Sequence, residues 1–179
     1  MLKNLKIALL LLAIPVFSGC ATLAPMKTVD YVDLDRFMGD WYVIANIPTF
    51  LEKGAHNAVE SYELNDAGEI ETTFRFRAGS FDGPLKEYHP KGFVKNEETN
   101  ALWGMQFIWP FKADYRIIYL SEDYGQVIIG RQARDYVWVM ARRQELSDED
   151  YSALADRVAA FGYDIQALVK VPQQWPKPK

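Results

Sequence analysis

The amino-acid sequence predicts an all-β fold, an eight-stranded antiparallel up-and-down barrel with one C-terminal helix packed on its outside. Three observations lead to this prediction. Short apolar runs recur from Trp41 onward at a spacing of about 8–12 residues, turn-forming residues separate these runs, and one segment of helical periodicity follows the last run. Closing such strands into a barrel removes the exposed edges that an open sheet would leave.

The apolar runs define eight candidate strands, and turn signals mark their connections. The candidate strands are 41–47, 57–64, 69–77, 86–95, 101–109, 114–120, 125–131 and 135–142. The segment Asn65–Gly68 places a glycine at the left-handed position of a hairpin turn. Asp82-Gly83-Pro84 and Asp123-Tyr124-Gly125 mark two further connections. Because the sequence shows no linker after residue 30, we predict one domain, over residues 31–171.

One segment near the C-terminus has the pattern of an amphipathic helix. Ser147 is a good N-cap, the acidic residues 148–150 lie where the helix dipole favours negative charge, and Gly162 ends the segment. A single apolar stripe is formed by Tyr151, Leu154, Ala155, Val158 and Phe161. The outside of the barrel offers the surface that this stripe needs to cover. A final strand near 163–169 and a tail of residues 172–179 follow.

Composition restricts the kinds of partner. The chain of 179 residues has 20 basic and 24 acidic side chains and a net charge of −4, which argues against a broad basic surface for nucleic acid. One cysteine excludes an intrachain disulfide framework and a zinc site built from clustered cysteines. Two histidines leave little for a metal centre with several histidine ligands. We therefore expect no metal and no cofactor.

The first twenty residues have the layout of a secretory signal. Lys3 and Lys6 precede an apolar run from Ile7 to Phe17, and small residues lead to Cys20. The run is too short for a membrane-spanning helix, which needs about 20 apolar residues. We interpret residues 1–19 as a signal peptide and residues 20–30 as a tether.

The residues before Cys20 resemble the lipobox of bacterial lipoproteins, in which the cysteine is acylated and becomes the mature N-terminus. Phe17 stands where leucine is usual, and Ala21 resembles the outer-membrane sorting pattern. This resemblance implies a lipid anchor at Cys20 on the periplasmic face of an outer membrane, because two or more acyl chains hold a protein stably on a bilayer. The alternative is an ordinary secretory peptide with an incidental cysteine.

The two-residue period of a strand decides which side chains point into the barrel. The inward set is rich in aromatic residues and methionine, which line apolar pockets and adapt to chain-like ligands. The candidate ligand-binding residues are Tyr62, Phe74, Phe76, Trp103, Met105, Phe107, Tyr115, Ile117, Tyr136 and Trp138. An eight-stranded barrel is wide enough either to be filled by its side chains or to hold one small ligand. The sequence leaves both alternatives open.

Three motifs in order resemble those of the lipocalins. Gly39-Asp40-Trp41 matches the G-x-W motif, Asp114-Tyr115 matches two positions of T-D-Y with Ala113 in place of threonine, and Arg142 matches the arginine of the third motif. The resemblance implies that Trp41 and Arg142 pack together at the closed end of the barrel. Gly39, Trp41 and Arg142 are then fold-closing residues, and the substitution at Ala113 concerns only the local bonding of Asp114.

With the lipobox-like start, the chain is most similar to the bacterial outer-membrane lipoprotein lipocalins, and the segment 50–54 resembles that subgroup. The resemblance implies a membrane-anchored binding protein, not an enzyme, with fatty acids or lysophospholipids as ligands. The role it implies is storage, transport or repair of membrane lipid. Tyrosine hydroxyls or an arginine near the rim could orient a polar head group. The oligomeric state stays open, with a dimer among the alternatives.

Other function classes have candidate residues of their own. An enzyme on the same barrel could use Glu60, which has inward parity, as an acid or base if it is buried; we favour a solvated Glu60 near the mouth. His56, in a predicted loop, and His89, beside Pro90, are expected to be exposed, which weakens haem binding. Arg75, Arg77 and Lys91 are expected to be ordinary solvated charges. A surface adaptor with a filled barrel is the remaining alternative.

Overall fold

The structure is a computed structural model that describes residues 23–176. The predicted signal peptide and Cys20 lie outside the described residues. The elements in chain order are α1 (Leu34–Phe37), β1 (Gly39–Ile47), β2 (Ala55–Leu64), β3 (Glu69–Ala78), β4 (Leu85–Tyr88), β5 (Lys91–Val94), β6 (Leu102–Ile108), β7 (Phe111–Leu120), β8 (Gln126–Gly130), β9 (Val137–Ala141), α2 (Asp148–Ala160), a 3₁₀ helix (Ile165–Ala167) and β10 (Val169–Lys170).

The strands form one antiparallel sheet that closes on itself. Its order is β10-β1-β2-β3-β5-β6-β7-β8-β9, β4 pairs with β3, and a β1–β9 pairing completes the circle. The predicted strand 86–95 is two strands, β4 and β5, separated at His89-Pro90 because proline has no N–H to donate to the sheet. Counted as one interrupted strand, they give the predicted eight-stranded barrel, which is confirmed.

Helix α2 is also confirmed, and it lies on the outside of the barrel. Ser147 Oγ accepts a hydrogen bond of 3.0 Å from the Asp150 N–H, as an N-cap should. Leu154 and Val158 are fully buried against the outward side chains of β9 and its neighbours. The prediction of a strand near 163–169 is wrong in extent: a 3₁₀ helix occupies residues 165–167, and β10 has only two residues, which pair with β1.

The strand directions give the barrel two different ends. One end, which we call the closed end, carries α1 and the β2–β3, β5–β6 and β7–β8 connections. The other, the open end, carries the connections at 48–54, 79–84, 109–110 and 131–136. The sequence analysis did not predict α1. Asp33 caps it by accepting a hydrogen bond from the Arg36 N–H.

The chain before α1 runs along β7 from the open end to the closed end. The Ala24 carbonyl accepts hydrogen bonds from the side chains of Gln132 and Arg134 in the open-end loop 131–136. Val32 N–H donates to the Thr99 carbonyl at the closed end. The part of the predicted tether that the structure describes, residues 23–30, therefore lies against the barrel.

Candidate functional site

Trp41 and Arg142 lie together at the closed end. The guanidinium lies 3.9 Å from the centre of the indole ring, within the range of a cation–π contact. It also donates hydrogen bonds to the carbonyls of Phe37, Met38 and Asp40, at 2.7–2.9 Å. The indole N–H donates to the Phe37 carbonyl at 2.9 Å. Arg142 therefore joins α1, β1 and β9 around Trp41 and closes this end.

Gly39 is required at this position by its backbone conformation. Its φ is +92°, in the region that favours glycine, and a Cβ atom there would lie 3.4 Å from an Arg142 guanidinium nitrogen. A side chain at Gly39 would therefore strain the backbone, and its Cβ would lie in van der Waals contact with Arg142.

Aromatic rings fill the barrel above this closure. Trp103 and Tyr115 stack at a centroid distance of 5.4 Å with an interplanar angle of 10°, and Phe37 contacts the rings of Trp41, Tyr62 and Trp103. The half of the barrel next to the closed end is therefore filled by the protein's own side chains, as one of the two alternatives expects.

Space remains in the half of the barrel next to the open end, in two adjoining cavities. The larger, of about 270 Å³, lies at the open end and is lined by Thr49, Phe50, Leu51, Glu52, Glu60, Phe74, Phe107, Ile108, Ala113, Tyr136 and Trp138. The smaller, of about 40 Å³, lies deeper and is lined by Glu60, Thr72, Phe74, Pro90, Met105, Phe107, Ala113, Asp114, Tyr115 and Trp138. Their shared residues make them one site with a mouth and a floor.

The structure divides the ten predicted ligand-binding residues into two groups. Those that line a cavity are Phe74, Met105, Phe107, Tyr115, Tyr136 and Trp138. Those that are packed in the core and line neither cavity are Tyr62, Phe76, Trp103 and Ile117. Of these four, Phe76 lies toward the open end, near the end of β3, where its ring packs against Phe74 and Tyr88. Phe107 lies at the rim, with 47% of its surface exposed. Parity identifies which residues point inward, but not how far along the barrel the packing extends.

Glu60 lies at the floor, and the expectation of a solvated carboxylate near the mouth is wrong. Only 8% of its surface is exposed. The Tyr62 hydroxyl donates to one carboxylate oxygen, and the Tyr62 and Tyr115 hydroxyl oxygens lie 2.5 Å apart. Burial raises the pKa of Glu60 to about 7; the hydrogen bond from Tyr62 opposes this rise, and the charge of Glu52 adds to it.

Glu52 is a second buried acid, which the sequence analysis did not single out. It lies in the loop 48–54 and is 3% exposed. Its carboxylate accepts hydrogen bonds from the Thr49 N–H at 2.9 Å and from the indole N–H of Trp138 at 3.0 Å. Glu52 thus joins the loop over the open end to the wall of the cavity. Glu52 and Trp138 are 86 residues apart in the chain, so no local sequence pattern could have paired them.

The charged side chains that line the two cavities, among the described residues, are all acidic. Among the described residues that line them, none is lysine, arginine or histidine. The expectation of an orienting arginine near the rim is therefore not met by these lining residues. Arg75 and Lys91 instead form ion pairs outside the barrel, with Asp40 at 3.6 Å and with Glu69 at 2.8 Å.

The remaining sequence-predicted polar residues lie away from the cavities. Arg77 is exposed and donates to the Gly83 carbonyl. His56 lies in β2, where a loop was predicted, and packs edge-on against the Phe81 ring, while His89 is exposed. Asp114 accepts hydrogen bonds from Arg116 and from the Gln132 N–H, so its bonding is complete despite Ala113. Within residues 23–176, no group of three or more His, Cys, Asp or Glu side chains could hold a metal ion.

Large apolar side chains surround the mouth. Trp109, in the connection between β6 and β7, is 82% exposed, and Phe111, the first residue of β7, is 75% exposed. Phe50 in the loop 48–54 is 85% exposed. Ile108 completes the patch, which we call the apolar rim (Phe50, Ile108, Trp109 and Phe111). None of the described helices is long and apolar enough to cross a membrane.

Comparison with known proteins identifies the family of this chain. A family model described as a lipocalin-like domain matches residues 32–173. The chain belongs to the lipocalin family. This lipocalin is 31% identical over 160 residues to temperature-induced lipocalin-1 of Arabidopsis thaliana, with 83% of each chain covered. It is 26% identical over 158 residues to the outer membrane lipoprotein Blc of Escherichia coli strain K12, with 87% of this chain and 89% of Blc covered.

Solved structures show the same fold at lower identity. Insecticyanin from the tobacco hornworm Manduca sexta superposes with a TM-score of 0.66 at 14% identity, covering 86% of each chain. The cockroach allergen Per a 4 gives a TM-score of 0.63 at 16% identity, covering 86% of this lipocalin and 96% of the allergen. The similarity to Blc also confirms the resemblance to bacterial outer-membrane lipoproteins that the sequence motifs indicated.

Proposed function

We propose that this lipocalin is a membrane-anchored binding protein, not an enzyme. In this proposal it holds the apolar chain of a fatty acid or a lysophospholipid in its barrel cavity, for storage, transport or repair of membrane lipid. The observation that carries the proposal is the cavity of about 270 Å³ between aromatic walls at the open end. The similarity of the chain to proteins named lipocalins and outer membrane lipoproteins supports a binding role.

The lining of the cavity suits an alkyl chain. Phe74, Phe107 and Trp138 line both the mouth and the deeper space, so a chain that enters meets apolar rings at both depths. Burying apolar surface stabilises the complex by about 25 cal/mol per Å². The cavity lies at the lower end of the usual size range of ligand sites, which favours one chain over a two-chain lipid.

The path of the N-terminal segment supports a membrane anchor at Cys20. The described chain begins at Leu23, next to the open-end loop 131–136. Three residues of extended chain span at most about 10 Å, so acyl chains on Cys20 would hold the mouth close to the bilayer. In this proposal the mouth faces the periplasmic side of an outer membrane.

The apolar rim supports the same orientation. Trp109 and Phe111 project from the open end with most of their surface exposed. Tryptophan and other large apolar side chains partition into the interface of a bilayer. A mouth seated there would let a single-chain lipid pass into the cavity without crossing water.

Native mass spectrometry of the mature chain, delipidated and refolded, tests the binding function. We expect one lysophospholipid or fatty acid molecule per barrel, and Trp138→Ala to weaken binding more than the matched surface change Lys91→Ala. Lys91 is the control because its ion pairs with Glu69 and Glu71 lie outside the cavity. No uptake of either lipid class would contradict the proposal and favour an adaptor with a filled barrel.

A further inference from the structure

A fatty acid that enters tail first requires a polar rim and an apolar floor, and this cavity has the reverse arrangement. Its rim is apolar, and its acidic groups lie below that rim. Phe50 and Ile108 line the mouth, whereas Glu60 lines both the mouth cavity and the deeper one. A ligand with a polar head therefore meets its hydrogen-bonding partners at the floor.

Glu60 is held ready to accept hydrogen bonds. Tyr62, two residues further along β2, donates to one of its carboxylate oxygens, and Tyr115 of β7 contacts the Tyr62 hydroxyl from across the barrel. Burial and the charge of Glu60 raise the pKa of both tyrosines well above the usual value, so both stay neutral near pH 7. The carboxylate orientation is thus fixed before a ligand arrives.

A second carboxylate adds to the negative potential of the site. Glu52 lines the mouth cavity, and its charge acts on Glu60. Asp114 does not add a free acid, because Arg116 binds both of its carboxylate oxygens. Since the described lining contains no basic side chain, a cationic ligand group would supply the missing counter-charge.

The walls of the site also favour a cation. Phe74, Tyr136 and Trp138 present aromatic rings to the cavity. The faces of such rings attract ammonium groups, most strongly where water is excluded. Glu52 fixes the Trp138 ring by accepting its indole N–H.

We propose that the floor of the cavity is a binding site for an ammonium group, which donates a hydrogen bond to Glu60. This lipocalin then selects single-chain amphiphiles with a cationic head and binds them head first. This inference rests on the proposed function, and within it favours ammonium-bearing lipids over fatty acids. The alkyl chain then lies between Phe107 and the apolar rim.

Electrostatics predicts the order of affinity for ligands that share one chain. An ammonium gains both an ion pair and a hydrogen bond with the ionised Glu60, a hydroxyl gains the hydrogen bond without the ion pair, and a carboxylate is repelled by Glu52 and Glu60. Charged hydrogen bonds are the stronger kind, so we expect an ammonium ligand to bind about tenfold or more tightly than the matching carboxylate.

Binding should be coupled to proton release. The titratable groups that face Glu60 are Glu52 from the loop 48–54, Tyr62 from β2 and Tyr115 from β7. In the free protein the pKa of Glu60 is about 7, and an ammonium beside it would lower that value. The affinity for an ammonium ligand therefore rises from about pH 6 to about pH 8, as the carboxylate ionises in the free protein.

Isothermal titration calorimetry with decylammonium, decanol and decanoate at about pH 8 tests the inference. We expect decylammonium to bind most tightly and Glu60→Gln to remove most of its advantage over decanol. Glu63→Gln, an exposed position on the same strand, is the matched control and should leave the order unchanged. The pH dependence of decylammonium binding to the unmodified protein, between about pH 6 and 8, requires no variant.

The outcomes separate this inference from the proposed function. Equal affinity for the three decyl ligands, or tighter binding of decanoate, overturns the ammonium site but leaves a chain-binding lipocalin. An order that Glu60→Gln does not change, or an affinity for decylammonium that does not rise with pH, overturns it as well. Failure of all three ligands and of lysophospholipid overturns both proposals.

Discussion

Glu60 combines an acidic side chain with an environment suited to an apolar one. Parity in β2 places it on the inward face with Tyr62, and this much is readable in the sequence. Its depth is not, because depth depends on the loop 48–54 and on β7, which cover it from distant parts of the chain. Burial of an ionisable group links the stability of the fold to pH.

The free energy of unfolding should fall as the pH rises, because of Glu60. Its pKa in the folded protein, about 7, exceeds the unfolded value of 4.5, so between these values the folded state keeps a proton that the unfolded state has released. The contribution is fully present below about pH 4.5 and is lost as the pH passes about 7, a change of about 3 kcal/mol for the full shift.

Urea unfolding of Glu60→Gln at about pH 4 and about pH 8 measures this contribution. Glutamine keeps the shape and cannot ionise, so the variant should gain stability relative to the parent protein as the pH rises. Glu63→Gln is the exposed control on the same strand. Parallel pH profiles for the parent and Glu60→Gln would contradict the assignment.

At the scale of elements, local patterns predicted the strands and the main helix, and long-range contacts decided the rest. Ser147 and Gly68 carry signals that act over a few residues, and both lie where the sequence places them. The interruption at Pro90 was visible as a residue type, but its effect depends on β3, where the Thr72 N–H donates to the Pro90 carbonyl. The two-residue β10 exists only because β1 offers it an edge.

The candidate site shows the same limit of sequence analysis. Six of the ten predicted lining residues face a cavity, because parity follows from the backbone alone. The bond between Glu52 and Trp138 and the packing of Trp103 under the floor require the closed barrel.

At the closed end one residue, Arg142, joins three elements. Replacing Arg142 should therefore lower the free energy of unfolding. Arg142→Ala removes the guanidinium hydrogen bonds to the carbonyls of Phe37, Met38 and Asp40. It also removes the cation from the Trp41 ring and leaves the Phe37 carbonyl with only the indole N–H of Trp41. We expect a loss of about 2–4 kcal/mol in the free energy of unfolding, measured in urea. Arg143→Ala, at an exposed neighbour, should cost less than about 1 kcal/mol; equal losses would contradict the closing role.

At the scale of the molecule, the proposed anchor and the mouth belong to the same end. The N-terminal segment reaches the open end at Ala24, and the apolar rim projects there. Membrane attachment in this arrangement has two parts, the acyl chains on Cys20 and the partitioning of the rim.

Cell fractionation and vesicle sedimentation separate these two parts. Cys20→Ser should release the protein from the outer-membrane fraction into the soluble periplasmic fraction. In that released protein, Trp109→Ser should reduce the remaining affinity for phospholipid vesicles, whereas Tyr31→Ser should not. Tyr31 is a large exposed side chain near the closed end, which makes it the matched control. Continued membrane fractionation of Cys20→Ser would argue against lipidation.

The positions of the two chain ends bear on how the protein can be labelled. The last described residues run along β1 toward the closed end, where Gln173 donates to the Val43 carbonyl and Trp175 packs against Tyr42. A fluorophore, affinity tag or fusion partner at the C-terminus would therefore follow a segment that leads away from the mouth. The same addition before Leu23 would lie on the side of the loop 131–136, at the end of the barrel that carries the mouth. Tagged protein for the binding measurements should therefore carry its tag at the C-terminus.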